Sequence, residues 1–280
     1  MNTNTKLFIA KGIYRSIRLI RSVIGLDSHA VVCKRFGIHW KLDLSEGIDL
    51  SIFLFGRFES STSKVISELI TQGSTVIDIG ANIGAHALPM AKRVGKTGKV
   101  HAIEPTDWAF EKMTQNLSLN PDLDGILITH KAFLGDGGAT TAPSQTHSSW
   151  KLDAELKHGV HGGVLQDSAN ARCFTLDEWA ITNGIDRIDL IKLDVDGYEA
   201  KVLKGALETI RRFRPKILIE LTLYNLEEYG NSLGELIGIL KDSGYSLSTE
   251  DGKREIPMSM DQLEQIIPKK GSINALAIPN

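Results

Sequence analysis

The sequence predicts an α/β chain whose sheet is parallel and doubly wound, with helices on both faces. Three observations predict it. From about Ser61, short apolar strands alternate with helical patterns at βα spacing. The first strand, within "VIDIGANIGAHALPMAK" (Val76–Lys92), runs through a glycine turn into an apolar helix. The next strand, "GKVHAIEP", stops at an acid, Glu104. Sheets of this kind bind ligands beyond the carboxyl ends of their strands.

The elements follow in order. "KLFIAKGIYRSIRLIRSVIG" sets Ile9, Ile13, Ile17, Ile20 and Ile24 near helical spacing, interleaved with Lys6, Lys11, Arg15, Arg18 and Arg21. Two readings fit residues 6–24. One is a basic amphipathic helix on an anionic membrane, at the inner face of the cell. The other is a helix packed on the protein with its charges in water. The arginines interrupt any signal-peptide core. "GIHWKLDLSEGIDLSIFLFGRFES" reads as one or two strands and a turn, because Ile38, Trp40, Leu42 and Leu44 alternate with polar residues. Residues 1–60 are thus expected to form an accessory helical and β extension, and residues 61–280 the main domain.

Within that domain "TVIDIG" is a strand and "AHALPMAKRVG" a helix, with Pro89 in its first turn or at a kink. "DWAFEKMTQNLSLN" is a helix with Asp107 as its N-cap. "GILITHKAFLG", "IDLIKLDV", "KILIEL" and "INALAIP" are strands, and "EAKVLKGALETIRRF" and "LGELIGILKDSG" are helices. Residues 136–171, rich in Gly, Ser, Thr, Ala and His, break the alternation. They are expected to form a substrate loop or lid containing a hairpin, the alternative being a tolerated surface insertion.

Composition bounds the function. With 280 residues, 42% of them apolar, the chain can bury a substantial core. Acidic residues number 34 against 32 basic, a formal charge of −2 that argues against a nucleic-acid partner. The two cysteines, Cys33 and Cys173, offer no metal-ligand spacing and suit a reducing, cytoplasmic compartment. No apolar run approaches the ~20 residues that span a bilayer, and no pattern fixes an oligomeric state.

The turn does not match a dinucleotide fingerprint. Where G-x-G-x-x-G needs its second and third glycines, this chain has Asn82 and Ala85. The pattern is D-x-G-x-N-x-G: Asp78, Gly80, Asn82, Gly84. An acid and an amide suit a ligand with an ammonium and a carboxylate and no phosphate, as in S-adenosylmethionine. Glu104, 24 residues after Gly80, can accept from both ribose hydroxyls; otherwise it is a solvated strand-end acid.

"VIDIGANIGAHALPMA", "GKVHAIEP" and "DLIKLDVDGYEAKVLKGA" resemble the FkbM-type S-adenosylmethionine-dependent methyltransferases over roughly Ser61–Glu220. The resemblance implies a Rossmann-like, seven-stranded class I fold and methylation of a hydroxyl, on a sugar or on a small natural product such as a polyketide. It implies that Gly80, Asn82 and Gly84 wrap the methionine part of the cofactor, with Asp78 near its amino group and Glu104 on its ribose. Ala132 and Phe133 would lie beside adenine, with Asp136 reaching its amino group. The resemblance also implies Glu where this chain has Asp196, a mild change, and Ala where it has Tyr198, whose larger side chain would alter substrate choice.

Acceptor chemistry needs a base or a metal beside a weakly acidic hydroxyl. Asp194 and Asp196, two apart at the end of "IKLDVDGYE", face one side. Asp196 with Glu199 also reads as a capping box, and Asp194 as a partner of Lys192 or Lys201. Glu220 ends another aliphatic run and would converge with Asp194 if their strands are neighbours. The two would act on the acceptor as catalytic acids or hold a cation such as Mg²⁺; spacing does not establish a metal. His147 is a candidate base carried by a lid, and Trp150 a sugar-stacking platform. The expected activity is O-methyl transfer to a sugar hydroxyl of a glycan or glycolipid. The rivals on the same fold are a nicotinamide oxidoreductase and a non-catalytic scaffold.

Overall fold

The structure is a computed structural model. It describes the chain except residues 1–2, 24, 27–28, 139–140, 150, 153–163, 224–229, 231 and 270, and the side chains of 3–9 and 147–149. Helices are α1 (Thr3–Val23), α2 (Gly47–Phe55), α3 (Ser60–Leu69), α4 (Ala87–Val94), α5 (Asp107–Ser118), α6 (Leu176–Thr182), α7 (Glu199–Lys204), α8 (Leu207–Phe213), α9 (Leu233–Asp242) and α10 (Met260–Ile266). Strands are β1 (Ala30–Arg35), β2 (Ile38–Asp43), β3 (Thr75–Ile79), β4 (Lys99–Ile103), β5 (Leu127–His130), β6 (Ala132–Leu134), β7 (Gln145–Ser149), β8 (Val164–Asp167), β9 (Arg172–Phe174), β10 (Leu190–Leu193), β11 (Lys216–Thr222), β12 (Tyr245–Thr249) and β13 (Ser272–Pro279).

Among the described residues a seven-stranded sheet runs β12-β13-β11-β10-β3-β4-β5. Side-chain alternation along the strands divides its apolar residues between two cores. Val76, Val100, Leu190 and Leu218 belong to one, with α4 and Met113 of α5. Ile77, Ile103, Ile191 and Ile219 belong to the other, with Trp179, Val202, Ile210 and Leu236 from α6 to α9. Helices therefore cover both faces. Each fully buried Ile or Leu contributes roughly 1.5–3 kcal/mol.

The sheet is mixed where a parallel one was expected: β13 runs antiparallel to both β11 and β12. A run such as "INALAIP" carries no direction. β12 was not foreseen, because "GYSLST" is short and half polar. Residues 47–55, read as strand, form α2, closed by Gly56 in a left-handed conformation. The apolar run there is nearly continuous, so periodicity alone does not separate the two states. Pro89 sits in the first turn of α4. The N-cap of α5 is Thr106 rather than Asp107, whose carboxylate pairs with Lys131 and accepts from Asn170. "EAKVLKGALETIRRF" is two helices, broken at Gly205, where a Cβ would stand 2.1 Å from the Gly135 carbonyl oxygen.

The strand β6 leaves the main sheet and pairs with β9, and β7 and β8 form the expected hairpin within 136–171. Residues 1–60 contribute α1, the β1–β2 pair and α2. One face of α1 is inward, with Tyr14 buried against Leu44, Leu50 and Leu152 and Ile17 beside them. Leu19, Ile20 and Val23 are exposed. Among the described residues no helix is long and apolar enough to cross a membrane.

Candidate active site

Strand order reverses between β3 and β10, because the chain runs from β3 out through β4 to β5 and returns to β10. A cleft opens there, at the carboxyl ends of the strands. The strand ends are tied together: Gly80 N donates to Ile103 O at 3.0 Å, and Asp194 N to Ile79 O at 3.2 Å. Gly80 has φ +82, and a Cβ on it would stand 1.8 Å from the Asp194 carbonyl oxygen. Only glycine meets both demands. Asn82 follows with φ 49, a left-handed conformation that asparagine adopts more readily than most residues.

The cleft is lined by Gly80, Asn82, Glu104, Ala132, Phe133, Asp194, Asp196 and Tyr198, all expected from the sequence. Glu104 is buried. One of its oxygens accepts from Asn82 N at 2.9 Å, the other from Thr106 N at 3.0 Å and Thr106 Oγ1 at 2.5 Å. Burial raises its pKa against those donors. Phe133 and Tyr198 meet edge to face, ring centres 5.1 Å apart.

Other expected residues lie elsewhere. Gly84 does not line the cleft; its φ of +83 and its closeness to Leu88 and Met113 serve helix packing. Asp136 is exposed, accepts from Gly138 N at 3.0 Å, and lines a separate cavity. Glu220 is on β11, next to β10, as its convergence with Asp194 required. It is not among the lining residues, although the charges of Asp194, Asp196 and Glu199 help burial raise its pKa. His147 lies on β7 with its side chain outside the described residues, as is the whole of Trp150; the neighbouring Thr146 lines the cleft. Among the described residues no three His, Cys, Asp or Glu side chains group to hold a metal.

Asp78 sits behind the cleft, fully buried, and neither of its oxygens has a hydrogen-bond partner among the described residues. Its neighbour is Lys192, the register partner on β10, with Nζ 3.6 Å from Oδ1. The same Nζ donates to Asp194 Oδ2 at 3.0 Å. Burial pulls the lysine pKa down, but Asp194 and Asp78 outweigh it and the net shift is upward. Lys192 is the feature that sequence reasoning used only as a partner of Asp194. A lysine inside an aliphatic strand, two residues before an acid, was its signal. His86, Phe58 and Ile48 also line the cleft without having been singled out.

The capping box proposed for Asp196 and Glu199 is not formed. Tyr198 is the N-cap of α7. Glu199 turns back and accepts from Val195 N at 2.9 Å and Gly197 N at 3.1 Å, holding the loop that carries Asp194 and Asp196. Asp196 has φ 49 and no hydrogen-bond partner among the described residues. Burial, then the charges of Asp194, Glu199 and Glu104, hold its carboxyl well above the ordinary range.

Burial pushes Glu199 from its ordinary 4.5 up to about 7. A folded pKa above the unfolded one gives stability that is full below the unfolded value and lost as pH rises through the folded one. Glu199→Gln should therefore gain on the native chain by on the order of 3 kcal/mol between pH 4.5 and pH 7.5, read from denaturant midpoints. A difference that stays constant with pH would show that Glu199 does not titrate in this window.

The profile described as "Methyltransferase FkbM domain" matches residues 78–247. The methyltransferase sdnD of Sordaria araneosa is 25% identical, over 62% of this chain and 74% of that protein. The hexuronic acid methyltransferase AglP of Haloferax volcanii is 24% identical, over 55% of this chain and 59% of that protein. Among solved structures, a methyltransferase FkbM from Methylobacillus flagellatus is similar at 19% identity and a TM-score of 0.40, over 75% of this chain and 44% of that one.

Proposed function

The chain belongs to the FkbM family of S-adenosylmethionine-dependent methyltransferases, and from that premise we propose that it methylates a hydroxyl of a saccharide in a glycan or glycolipid. The observation that carries this reading is the acid cluster at the end of β10, facing the same cleft as Glu104. One protein similar to this chain is a hexuronic acid methyltransferase, which supports a saccharide over a polyketide acceptor.

The residues present fit the cofactor. Glu104 is a buried carboxylate in the cleft wall, suited to ribose hydroxyls, and Ala132 and Phe133 offer an apolar wall for adenine. The glycine turn lets backbone come close, and Asp194 in the cleft wall, with Asp78 behind it, offers acidic side chains suited to the methionine amino group. Bound S-adenosylmethionine supplies an electrophilic methyl group on a sulfonium. Lys192 donates to Asp194 Oδ2 at 3.0 Å and so fixes the side chain, which suits it to orient a hydroxyl. Asp196, half-buried and with a raised pKa, is the group suited to take the hydroxyl proton near neutral pH. Glu220, on the neighbouring strand β11, has its carboxyl held well above the ordinary range by burial and then by the charges of Asp194 and Asp196.

The test is transfer of radiolabel from S-adenosylmethionine to a panel of hexoses and hexuronic acids. Asp196→Asn should lower transfer roughly 10²–10⁴-fold while S-adenosylhomocysteine still binds. Unchanged turnover in that variant would remove Asp196 from the base role.

The reading extends to a membrane contact, which would place the enzyme at the inner face of the cell beside lipid-linked acceptors. Residues 1–26 carry five basic residues and no acid, and Leu19, Ile20 and Val23 face away from the protein. Basic residues at an anionic surface contribute about 1 kcal/mol each. The chain should co-sediment with phosphatidylserine vesicles, not with phosphatidylcholine ones, and be released by salt. Ile20→Asp should abolish the binding; sedimentation indifferent to lipid charge would refute it.

A further inference from the structure

Resting on the donor reading above, we propose that a second cavity, which meets the donor cleft at the Phe133–Tyr198 ring pair, is the subsite that holds the acceptor's saccharide. The cavity has a volume of about 300 Å³, at the lower end of small-molecule sites and enough for one sugar ring. Phe133 and Tyr198 line both spaces, so the two adjoin at this ring pair.

Its walls suit a saccharide. Phe133, Phe174 and Tyr198 offer aromatic surface for the C–H bonds of a pyranose. Thr141, Asp136 and Lys201 offer a hydroxyl, an acceptor and a cationic donor around them. The ammonium of Lys201 lies 5.3 Å from the centre of the Tyr198 ring and has no carboxylate partner among the described residues. It is therefore available to a hydroxyl or carboxylate of the ligand. The cavity is built from Gly135–Gly137 and Thr141–Pro143, at the start of the segment that departs from the βα alternation, and from Cys173 and Phe174 just after it. Tyr198 lines both spaces and meets Phe133 edge to face.

Cys173 faces this cavity and Cys33 does not, so each thiol reports separately. The experiment measures alkylation of both by N-ethylmaleimide, peptide by peptide, with S-adenosylhomocysteine bound and with hexoses and hexuronic acids added as methyl glycosides. The glycoside that accepts label should slow Cys173 about tenfold, as expected when a bound ligand covers about nine-tenths of the sites, and leave Cys33 unchanged. Thr141→Trp and Lys201→Ala should lower transfer to it about 100-fold, with S-adenosylhomocysteine affinity unaltered. A methylated glycoside with no protection of Cys173, or full transfer in both variants, overturns the proposal. So does the absence of any methylated or protecting glycoside while S-adenosylhomocysteine binds. Loss of S-adenosylhomocysteine binding in the unaltered chain would instead strike the donor reading beneath it.

Discussion

Glu104→Ala is expected to weaken S-adenosylhomocysteine binding by about 10²–10³-fold, the largest effect on the donor of any single side chain. Two causes add. The variant loses a buried, ionisable acceptor suited to ribose, and hydrogen bonds to charged groups contribute about 1.5–3 kcal/mol. It also strands the N–H groups of Asn82 and Thr106, both of which now donate to that carboxylate. The loop at Asn82, already left-handed, would then relax. Glu104→Gln keeps an acceptor on the same stem and should lose much less. Titration calorimetry of the three proteins decides it. Equal affinities would mean that Glu104 braces the turn without meeting the ligand.

Gly80→Ala is expected to cost more than about 4 kcal/mol of folding stability, a large share of the 5–15 kcal/mol a domain has. The left-handed backbone alone costs a non-glycine residue about 1–2 kcal/mol. The greater part comes from the new Cβ, 1.8 Å from the Asp194 carbonyl oxygen. That carbonyl cannot withdraw cheaply, because the Asp194 amide is bonded to Ile79 O and its side chain to Lys192. Gly184 is the control. It has φ +63 but nothing within 4 Å of a Cβ, so its alanine variant should show the backbone cost alone. Similar denaturant midpoints for the two variants would show that β3 and β10 do not press together at this point.

The contrast between these residues and the rest explains what the sequence disclosed. Asp78, Gly80, Asn82 and Glu104 lie within one βαβ unit, where chain order nearly determines spatial order, and three of the four line the cleft. Asp78 proved to lie one layer deeper, because its strand neighbour supplies a cation. That neighbour, Lys192, is over a hundred residues away in the chain and becomes visible only once β10 is known to lie beside β3. The same limit applies to Glu199. Its D-x-x-E spacing was real, but the side chain turned back to Val195 and Gly197 instead of forward to a cap. α2 and the direction of β13 failed for a different reason: short, uniformly apolar runs hold neither a period nor a polarity.

The claim on which the rest stands is that the cleft between β3, β4 and β10 binds S-adenosylmethionine. Titration calorimetry of the unaltered chain with S-adenosylhomocysteine tests it most directly. The account predicts saturable binding at one site per chain, with NAD giving no heat under the same conditions. Absence of binding by S-adenosylhomocysteine, in a folded preparation and in more than one buffer, would contradict it.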